Sequence, residues 1–261
     1  MWEIFEEYDY ELSGDILDKL DRLYNLLIEG NEKISLTTIT DYDEVILKHY
    51  LDSAAPLLPF DEDREYIPSD HTLTDEEMAE IPSEIQEFYK VLNTKNLRVL
   101  DVGTGAGFPG LVLAILNPDW NIVLLESQQK KITYLNHVIK ELSLDNVETI
   151  HGRAEDIAQD PEYREQFDVV TSRAVAELRV LLELCIPFLT PHGFFIAYKG
   201  PQYDDELEAS YDAQEKLNCR ISFVEIFNFP DMMRTLVGFR MIGTVPEKYP
   251  RRAGIPNKKP L

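Results

Sequence analysis

Cysteine is scarce in this sequence, and its scarcity argues against two kinds of architecture. Only two cysteines occur, Cys185 and Cys219, and neither belongs to a CxxC pair or to a spacing that binds metals. A fold held by disulfides and a zinc site are therefore not expected. We expect no metal, and a reducing environment of the cytoplasmic kind.

Long apolar runs are missing as well. No stretch approaches the roughly 18 consecutive apolar residues of a membrane-spanning helix. The N-terminal stretch MWEIFEEYDYELSGD is acidic and lacks the charged-then-apolar pattern of an export signal. We therefore expect no membrane partner. With 261 residues, 44% of them hydrophobic, the chain can bury the core of one sizeable α/β domain with an extension.

Positive charge is the third deficiency, because 25 Lys and Arg stand against 48 Asp and Glu, a net charge of −23. Nucleic acid repels such a protein at long range. The charge is uneven, however. Asp61 to Asn93 holds eleven acidic residues against two basic ones, whereas Arg240 to Leu261 holds six basic residues against one Glu. A basic tail on an acidic body can still present a positive face to an anionic partner.

The chain divides into three segments. Residues 1–60 are predicted to be a small helical extension. Residues 61–94 interrupt the pattern with two prolines and dense acid, so we predict an acidic insertion, partly disordered, with one short helix near Asp75. Residues 95–261 are predicted to form the main domain, with a basic C-terminal tail.

Two helices are predicted in the extension. The first begins at Ser13 and ends near Gly30, and a second begins near Asp41, where apolar and charged residues again alternate at helical spacing. Five apolar residues define the buried face of the first helix: Ile16, Leu20, Leu23, Leu26 and Leu27.

Strand and helix patterns alternate in the main domain. Five short apolar runs have strand character: RVLDV, NIVLLES, NVETIHG, FDVVTS and GFFIAYKG. Helical segments lie between them, notably Gln128 to Leu142 and Glu177 to Leu189. Two more strands, Ile221 to Phe227 and Leu236 to Ile242, are separated by FPDMMRT. This order predicts an α/β fold, with a mostly parallel seven-stranded sheet, helices on both faces and an antiparallel hairpin at one edge.

The stretch DVGTGAGFPG directly follows the first strand and contains two overlapping patterns. Gly103-x-Gly105-x-Gly107 suits a nucleoside held against a loop, whereas Gly105-x-Gly107-x-x-Gly110 matches the dinucleotide pattern. Because ligands of open α/β sheets bind at the carboxyl ends of strands, we expect a nucleoside-containing cofactor here.

Three features favour S-adenosylmethionine over NAD. Asp101 ends the first strand, and a carboxylate there suits a cationic amino acid better than a pyrophosphate. Pro109 crowds the helix N-terminus that a pyrophosphate would need open. The third feature is HGRAEDI, where Ala154 leaves room for adenine and Glu155 offers an acceptor. Glu126, at the end of the next strand, would bind ribose hydroxyls of either cofactor.

Several motifs occur in a fixed order: NEKISLTTI with KHYLDS, then DVGTGAGFPG, LLES, GRAE, VTSRAVA, AYKG and YPRRAGIPNKKPL. In this order they resemble the RsmG (GidB) family of bacterial 16S rRNA guanine-N7 methyltransferases. The likeness runs from about Asn31 to Leu261, with only Asp61 to Asn93 foreign to the family pattern. It implies a class I, Rossmann-like methyltransferase that uses S-adenosylmethionine and acts on 16S rRNA or the small ribosomal subunit.

The resemblance also implies a set of cofactor-binding residues: Gly103, Phe108, Ala154, Glu155 and Arg173. The loop pattern adds Gly105 to this set. Strand-end position adds Asp101, which either shapes the loop or contacts the methionine end, and Glu126.

Three side chains are candidates for a place near the target base. Arg173 ends a strand, so it would bind either the methionine carboxylate or an RNA phosphate. Lys199 ends the next strand and is either part of the site or a solvated lysine. His49, in KHYLDS, is either a structural histidine bonded to Asp52 three residues on, or an edge of the active site.

The basic tail supplies the candidates for RNA contact: Arg251, Arg252, Lys258 and Lys259. Tyr249 is available to stack on a base, and Lys33, Lys130 and Lys131 extend the set. The alternative for these residues is a solvated tail.

Methylation of guanine N7 removes no proton, so no general base is required and none stands out in the sequence. Three other functions stay open at this point. They are a methyltransferase for another RNA or a small molecule, an NAD-binding oxidoreductase, and a regulator that binds a nucleoside without catalysis. We expect a monomer.

Overall fold

Eight strands form one sheet in the computed structural model, which describes residues 1–58, 66–68 and 83–261. In chain order the strands are β1 (Tyr66–Pro68), β2 (Arg98–Val102), β3 (Asn121–Glu126), β4 (Val147–His151), β5 (Phe167–Arg173), β6 (Leu189–Lys199), β7 (Cys219–Phe229) and β8 (Met232–Met241). Across the sheet their order is β1-β7-β8-β6-β5-β2-β3-β4.

Five neighbouring strands of the sheet, β6, β5, β2, β3 and β4, are mutually parallel, which confirms the predicted parallel sheet. β8 runs antiparallel to β6, β7 to β8, and β1 to β7. All seven predicted strands are present, and β1 adds an eighth from the segment that we assigned to the insertion. The chain order reverses between β2 and β5, and open α/β sheets bind ligands at such a switch point.

The hairpin of β7 and β8 is longer than the sequence predicted. Met232 pairs with Phe229 and Thr235 with Ile226, so most of FPDMMRT belongs to the ladder. Only two residues turn the chain, and Asp231 there has a φ of 56°. Proline and aspartate made the whole stretch look like a loop, whereas they mark only its turn.

Helices cover both faces of the sheet, as predicted. They are α1 (Glu3–Glu6), α2 (Gly14–Asn31), α3 (Tyr42–Val45), α4 (Asp52–Ala54), α5 (Ser83–Leu92), α6 (Gly110–Leu116), α7 (Gln129–Glu141), α8 (Ala154–Ile157), α9 (Leu178–Cys185), α10 (Tyr203–Ala209), α11 (Tyr211–Leu217) and α12 (Ile255–Lys258). One core contains α2, α5, α6 and α7, and the other contains α9 and α11. In the part of the chain that the structure describes, no helix has both the length and the apolarity needed to cross a membrane.

The N-terminal helices lie where the sequence placed them. α2 begins directly after Ser13, and its predicted apolar face packs on α6 and α7. Asp41 caps α3 by accepting hydrogen bonds from the backbone N–H groups of Asp43 and Glu44, both at 3.1 Å. α3 continues into a π-helical segment, Ile46–Leu51, which overlaps the KHYLDS motif. Such segments are uncommon and often occur at functional sites.

Part of 61–94, the segment predicted as an acidic insertion, has a place in the core. α5 packs on the sheet, where the ring centroid of Phe88 lies 4.7 Å from that of Phe223 and 5.5 Å from that of Phe194. Glu87 also pairs with Arg240 of β8. Dense acidic residues concealed a buried helical face. The helix predicted near Asp75 lies outside the described residues.

Phe88 provides a test of this packing. We expect Phe88→Ala to lower the free energy of unfolding by about 3–5 kcal/mol, because it leaves a cavity among buried aromatic rings. Chemical denaturation measures this change, with Lys90→Ala on the exposed side of α5 as the matched control. A cost for Phe88→Ala no larger than that of the control would show that α5 is not part of the core.

Candidate active site

Side chains from the parallel strands converge at one edge of the sheet. Glu126, Arg173 and Lys199 are the last residues of β3, β5 and β6, as the sequence predicted. The glycine loop, defined as residues 103–110, follows β2 at the same edge. The switch point between β2 and β5 therefore lies directly beside the glycine loop.

The glycine loop has a backbone that other residues would not adopt readily. Gly103 and Gly105 have φ angles of 72° and 62°, in the left-handed region. A Cβ on Gly103 would lie 2.6 Å from Cγ2 of Val175, whereas a Cβ on Gly105 would meet no atom closer than 3.9 Å. The space beside Gly105 is thus open, and a ligand can lie against the bare backbone there.

Glu126 is fixed beside this loop. One carboxylate oxygen accepts a hydrogen bond from the N–H of Gly105 at 3.2 Å, and the other accepts one from the N–H of Gln128 at 2.8 Å. The Nζ of Lys131 lies 3.9 Å from Oε2 of Glu126. A carboxylate can accept about four hydrogen bonds. The hydroxyl of Ser127 also donates to Glu126, at 3.3 Å. Glu126 can therefore hold the loop and still accept a hydrogen bond from a ribose hydroxyl.

Asp101 lies behind the loop, which corrects its prediction as a direct cofactor contact. Its side chain is completely buried. One oxygen accepts a hydrogen bond from the N–H of Gly110 at 3.0 Å, and the other accepts one from the hydroxyl of Thr171 at 3.1 Å. Burial raises the pKa of this carboxyl group. Of the two predicted roles for Asp101, shaping the loop is the one that the structure supports.

Ala154 and Glu155 begin α8 near the same edge, and both are buried. The side chain of Glu155 already has a partner, because its Oε1 accepts a hydrogen bond from the N–H of Gly254 at 2.8 Å. The acceptor that we assigned to adenine therefore also binds the C-terminal segment. A contact between the start of α8 and the cofactor stays a prediction.

A cleft of about 620 Å³ opens next to the glycine loop. We call it the arginine cleft, after its principal charged and polar residues: Lys48, His49, Asp52, Arg173, Lys199 and Arg234. Phe108 joins the cleft to the glycine loop. Its ring stacks on that of His49, with centroids 4.7 Å apart, and the guanidinium carbon of Arg173 lies 5.5 Å from its centroid.

One buried carboxylate organises the arginine cleft. Asp52 has no exposed side-chain surface and forms an ion pair of 2.6 Å with Arg173. Arg234 donates to both oxygens of Asp52, to Oδ2 at 3.0 Å, and also donates to the carbonyl of Lys199 at 2.8 Å. Both guanidinium groups are mostly buried, and their hydrogen bonds to Asp52 fix their positions.

His49 is held as a neutral imidazole. Arg173 donates to its Nδ1 at 3.2 Å, so the other nitrogen, 3.0 Å from the hydroxyl oxygen of Thr37, is the protonated one. Burial lowers the pKa of His49 to about 4, and the charge of Arg173 acts in the same direction. The predicted partner of His49, Asp52, pairs with the two arginines instead. His49 nonetheless lines the cleft.

Lys199 is not a solvated lysine. Its ammonium group forms an ion pair of 2.6 Å with Glu206 and donates to the carbonyl of Ala176 at 3.1 Å. Only 12% of its side chain is exposed. Of the two predicted readings, the structure supports a place in the wall of the cleft.

Comparison with known proteins identifies the family. The model of the GidB family, described as rRNA small subunit methyltransferase G, matches residues 78–235. The chain belongs to the GidB family. A ribosomal RNA small subunit methyltransferase G of Lactobacillus delbrueckii subsp. bulgaricus is 39% identical over 99% of this chain and 97% of that protein. The Desulfitobacterium hafniense protein of the same name is 40% identical over 98% of this chain and 94% of that protein.

Membership of the GidB family confirms the resemblance seen in the sequence and excludes an NAD-binding oxidoreductase. The relatives align with 98–99% of this chain and 94–97% of their own length. The family match begins at residue 78 and so overlaps the last part of the segment from Asp61 to Asn93. That this segment is foreign to the family pattern stays a prediction.

The structure changes the role of one predicted RNA contact. Arg251 donates through Nε and Nη2 to the carboxylate of Glu183, which is completely buried, with distances of 2.8 Å and 2.6 Å. The guanidinium group therefore serves the fold, and a contact of Arg251 with RNA stays a prediction. Arg252, Lys258 and Lys259 are exposed, and their contact with RNA stays a prediction.

Sequence reasoning missed Arg234 and Tyr198. Arg234 lay in the stretch that we read as a loop, yet an arginine inside a ladder of apolar residues signals a buried polar partner. Tyr198 is buried, and its hydroxyl donates to the carbonyl of Ser53 at 2.9 Å. This bond ties β6 to α4. Nothing in the local pattern of AYKG indicates it.

The pKa of His49 gives a prediction for pH. An unfolded histidine titrates near ~6.5, whereas folded His49 titrates at about 4. Between these values the unfolded chain binds a proton that the folded chain does not, so stability falls as the pH decreases. In His49→Gln this component is absent. We expect its free energy of unfolding to change less steeply, by up to ~1.4 kcal/mol per pH unit.

Denaturation of both proteins by urea, at several pH values across that window, measures the difference in slope. His137→Gln, on the exposed side of α7, is the matched control and should keep the slope of the parent protein. Equal slopes for His49→Gln and the parent would mean that His49 titrates normally.

Proposed function

We propose that this member of the GidB family transfers the methyl group of S-adenosylmethionine to N7 of one guanine in small-subunit (16S) rRNA. The observation that carries the proposal is the joint presence of the glycine loop and the arginine cleft, which meet at Phe108. The glycine loop suits an adenosine cofactor, and the arginine cleft suits an anionic acceptor. Relatives that match nearly the full chain are named as methyltransferases of small-subunit ribosomal RNA.

The residues around the glycine loop fit S-adenosylmethionine. Gly105 offers bare backbone beside open space, and Glu126 offers a carboxylate for ribose hydroxyls. Ala154, at the start of α8, has only a methyl side chain, which leaves room for a planar base. When bound, the cofactor supplies a methyl group activated by its positively charged sulfur. The protein has to orient that group and exclude water.

The reaction requires no general base. Guanine N7 attacks with a lone pair and has no proton to lose, so the acceptor becomes cationic as the bond forms. His49 is neutral, and both of its ring nitrogens already have partners, Arg173 and Thr37. It acts as a rigid wall stacked on Phe108 and not as a proton acceptor. Rate enhancement therefore comes from orientation of N7 toward the methyl group and from exclusion of water.

The arginine cleft is suited to an RNA nucleotide. Arg173 and Arg234 together carry two positive charges against the single negative charge of Asp52, so the group keeps one net positive charge. Its guanidinium groups are already desolvated and fixed, so they can bind a phosphate without further ordering. Of the two roles predicted for Arg173, this arrangement favours the phosphate beside the target base.

Transfer of labelled methyl tests the function directly. The protein is incubated with labelled S-adenosylmethionine and small-subunit rRNA, both naked and assembled into particles, and the RNA is then digested to nucleosides. We expect label in 7-methylguanosine. Cofactor binding without label in any nucleoside would instead favour the regulator, and label in another nucleoside would mean that the acceptor atom is wrong.

A variant of the cleft separates acceptor binding from cofactor binding. Arg234→Lys keeps a positive charge but loses the paired hydrogen bonds to Asp52. We expect kcat/KM for RNA to fall at least about tenfold, because the acceptor is misplaced. The dissociation constant for S-adenosylmethionine, measured by calorimetry, should not change. Arg220→Lys, an exposed site on β7, is the control. A weaker cofactor complex in Arg234→Lys would place this arginine at the methionine end instead.

A further inference from the structure

The C-terminal segment, residues 245–259, is docked on the protein and does not extend into solvent. Val245 and Tyr249 are 4% and 6% exposed, and both belong to the core that contains α9 and α11. Arg164, seven residues after the end of α8, donates to the carbonyls of both, at 3.0 Å and 2.8 Å. The backbone of the segment is therefore fixed by side chains from the folded domain.

An ion pair fastens the middle of the segment. The backbone N–H and the Nε of Arg251 donate to one oxygen of Glu183 at 2.7 Å and 2.8 Å, and its Nη2 donates to the other at 2.6 Å. Glu183 lies on α9 and is completely buried. A buried carboxylate without a partner is strongly destabilising. The domain thus depends on the C-terminal segment to compensate a charge in its own core.

Two further contacts reach α8. The N–H of Gly254 donates to Glu155 at 2.8 Å, and the side-chain amide of Gln159 donates to the carbonyl of Pro250 at 2.9 Å. Glu155 is in the first turn of α8, and Gln159 lies two residues beyond its end. Gly254 has a φ of 80°, which turns the chain toward Glu155 at low cost only because the residue is glycine. The segment therefore holds α8 at both ends.

A helix as short as α8 cannot fix its own position. It has four residues, and isolated helices shorter than about 12 residues are marginal in water. Contacts with the rest of the fold must set its orientation, and the C-terminal segment supplies those described above. We propose that residues 245–259 are a positioning element for the cofactor site, which holds α8 so that Ala154 and Glu155 meet the cofactor in a preorganised geometry.

This inference rests on the proposed function for the identity of the cofactor. It assigns the inner face of the tail a role different from RNA contact. Arg252, Lys258 and Lys259 stand on the outer face and are exposed. The inner face, through Arg251 and Gly254, acts on the affinity for the cofactor whether or not RNA is present.

The experiment measures the affinity for S-adenosylmethionine in the absence of RNA. Calorimetry compares the full chain with Arg251→Gln and with the milder Arg251→Lys, which keeps the charge but loses the paired geometry. We expect the dissociation constant to rise about tenfold in Arg251→Gln and by less in Arg251→Lys, because binding must then order α8. Amide hydrogen exchange in residues 154–157 should become faster in the same order.

Phe88→Ala is the matched control, because it weakens the opposite core and leaves α8 untouched. At a temperature where both proteins are folded, it should bind the cofactor like the parent. If Phe88→Ala weakened the binding as much as Arg251→Gln, the effect would be one of general stability and the proposal would fail. Should Arg251→Gln not fold, Arg251→Lys decides the question by the same two readouts.

Two other outcomes would overturn the proposal. One is an unchanged cofactor affinity and unchanged exchange in α8. The other is an unchanged cofactor affinity with a raised KM for RNA and a salt dependence of RNA binding reduced by about 0.7 in slope, the signature of one lost phosphate contact on a single strand. Failure of the parent protein itself to bind S-adenosylmethionine would contradict the proposed function, and the two failures are therefore distinguishable.

Discussion

A single buried carboxylate, that of Asp52, joins the three parts of the fold that form the site. It belongs to the N-terminal helices, Arg173 ends β5 in the parallel sheet, and Arg234 lies in the antiparallel hairpin. Removing a carboxylate from water costs several kcal/mol, and here that cost is offset only if both guanidinium groups are in place. The N-terminal extension, the sheet and the hairpin must therefore dock in one arrangement. The arginine cleft forms where these three parts meet.

The sequence predicted the features that follow from local pattern. The helix after Ser13, the helix that begins near Asp41 and the strand ends at Glu126, Arg173 and Lys199 all lie where the sequence pattern placed them. Strand ends are especially informative, because the carboxyl ends of parallel strands meet at one edge of the sheet whatever the loops between them do. Much of the site could thus be predicted from the sequence.

Long-range partners were beyond the reach of sequence. Asp52 and Arg234 are 182 residues apart, and Arg251 and Glu183 are 68 apart. A charged residue looks the same in the sequence whether it is solvated or paired in a core, since no periodicity reports its partner. Hence the ion pair of Arg251 with Glu183 was not predicted, and Arg234 was overlooked. α5 was missed for a related reason, because the dense acidic residues of 61–94 outweighed the apolar face of the helix.

The net charge of −23 constrains how such a protein can bind RNA. Long-range attraction is not available, so affinity has to come from contacts made at short distance. The structure concentrates cations where a carboxylate has already fixed them, as Asp52 does for Arg173 and Arg234. Asp52 neutralises part of the positive charge of the two arginines. Because it also fixes their positions, little entropy is lost when they bind a phosphate. Preorganised cations in a cleft thus supply affinity at short range, which suits recognition of one nucleotide better than general affinity for RNA.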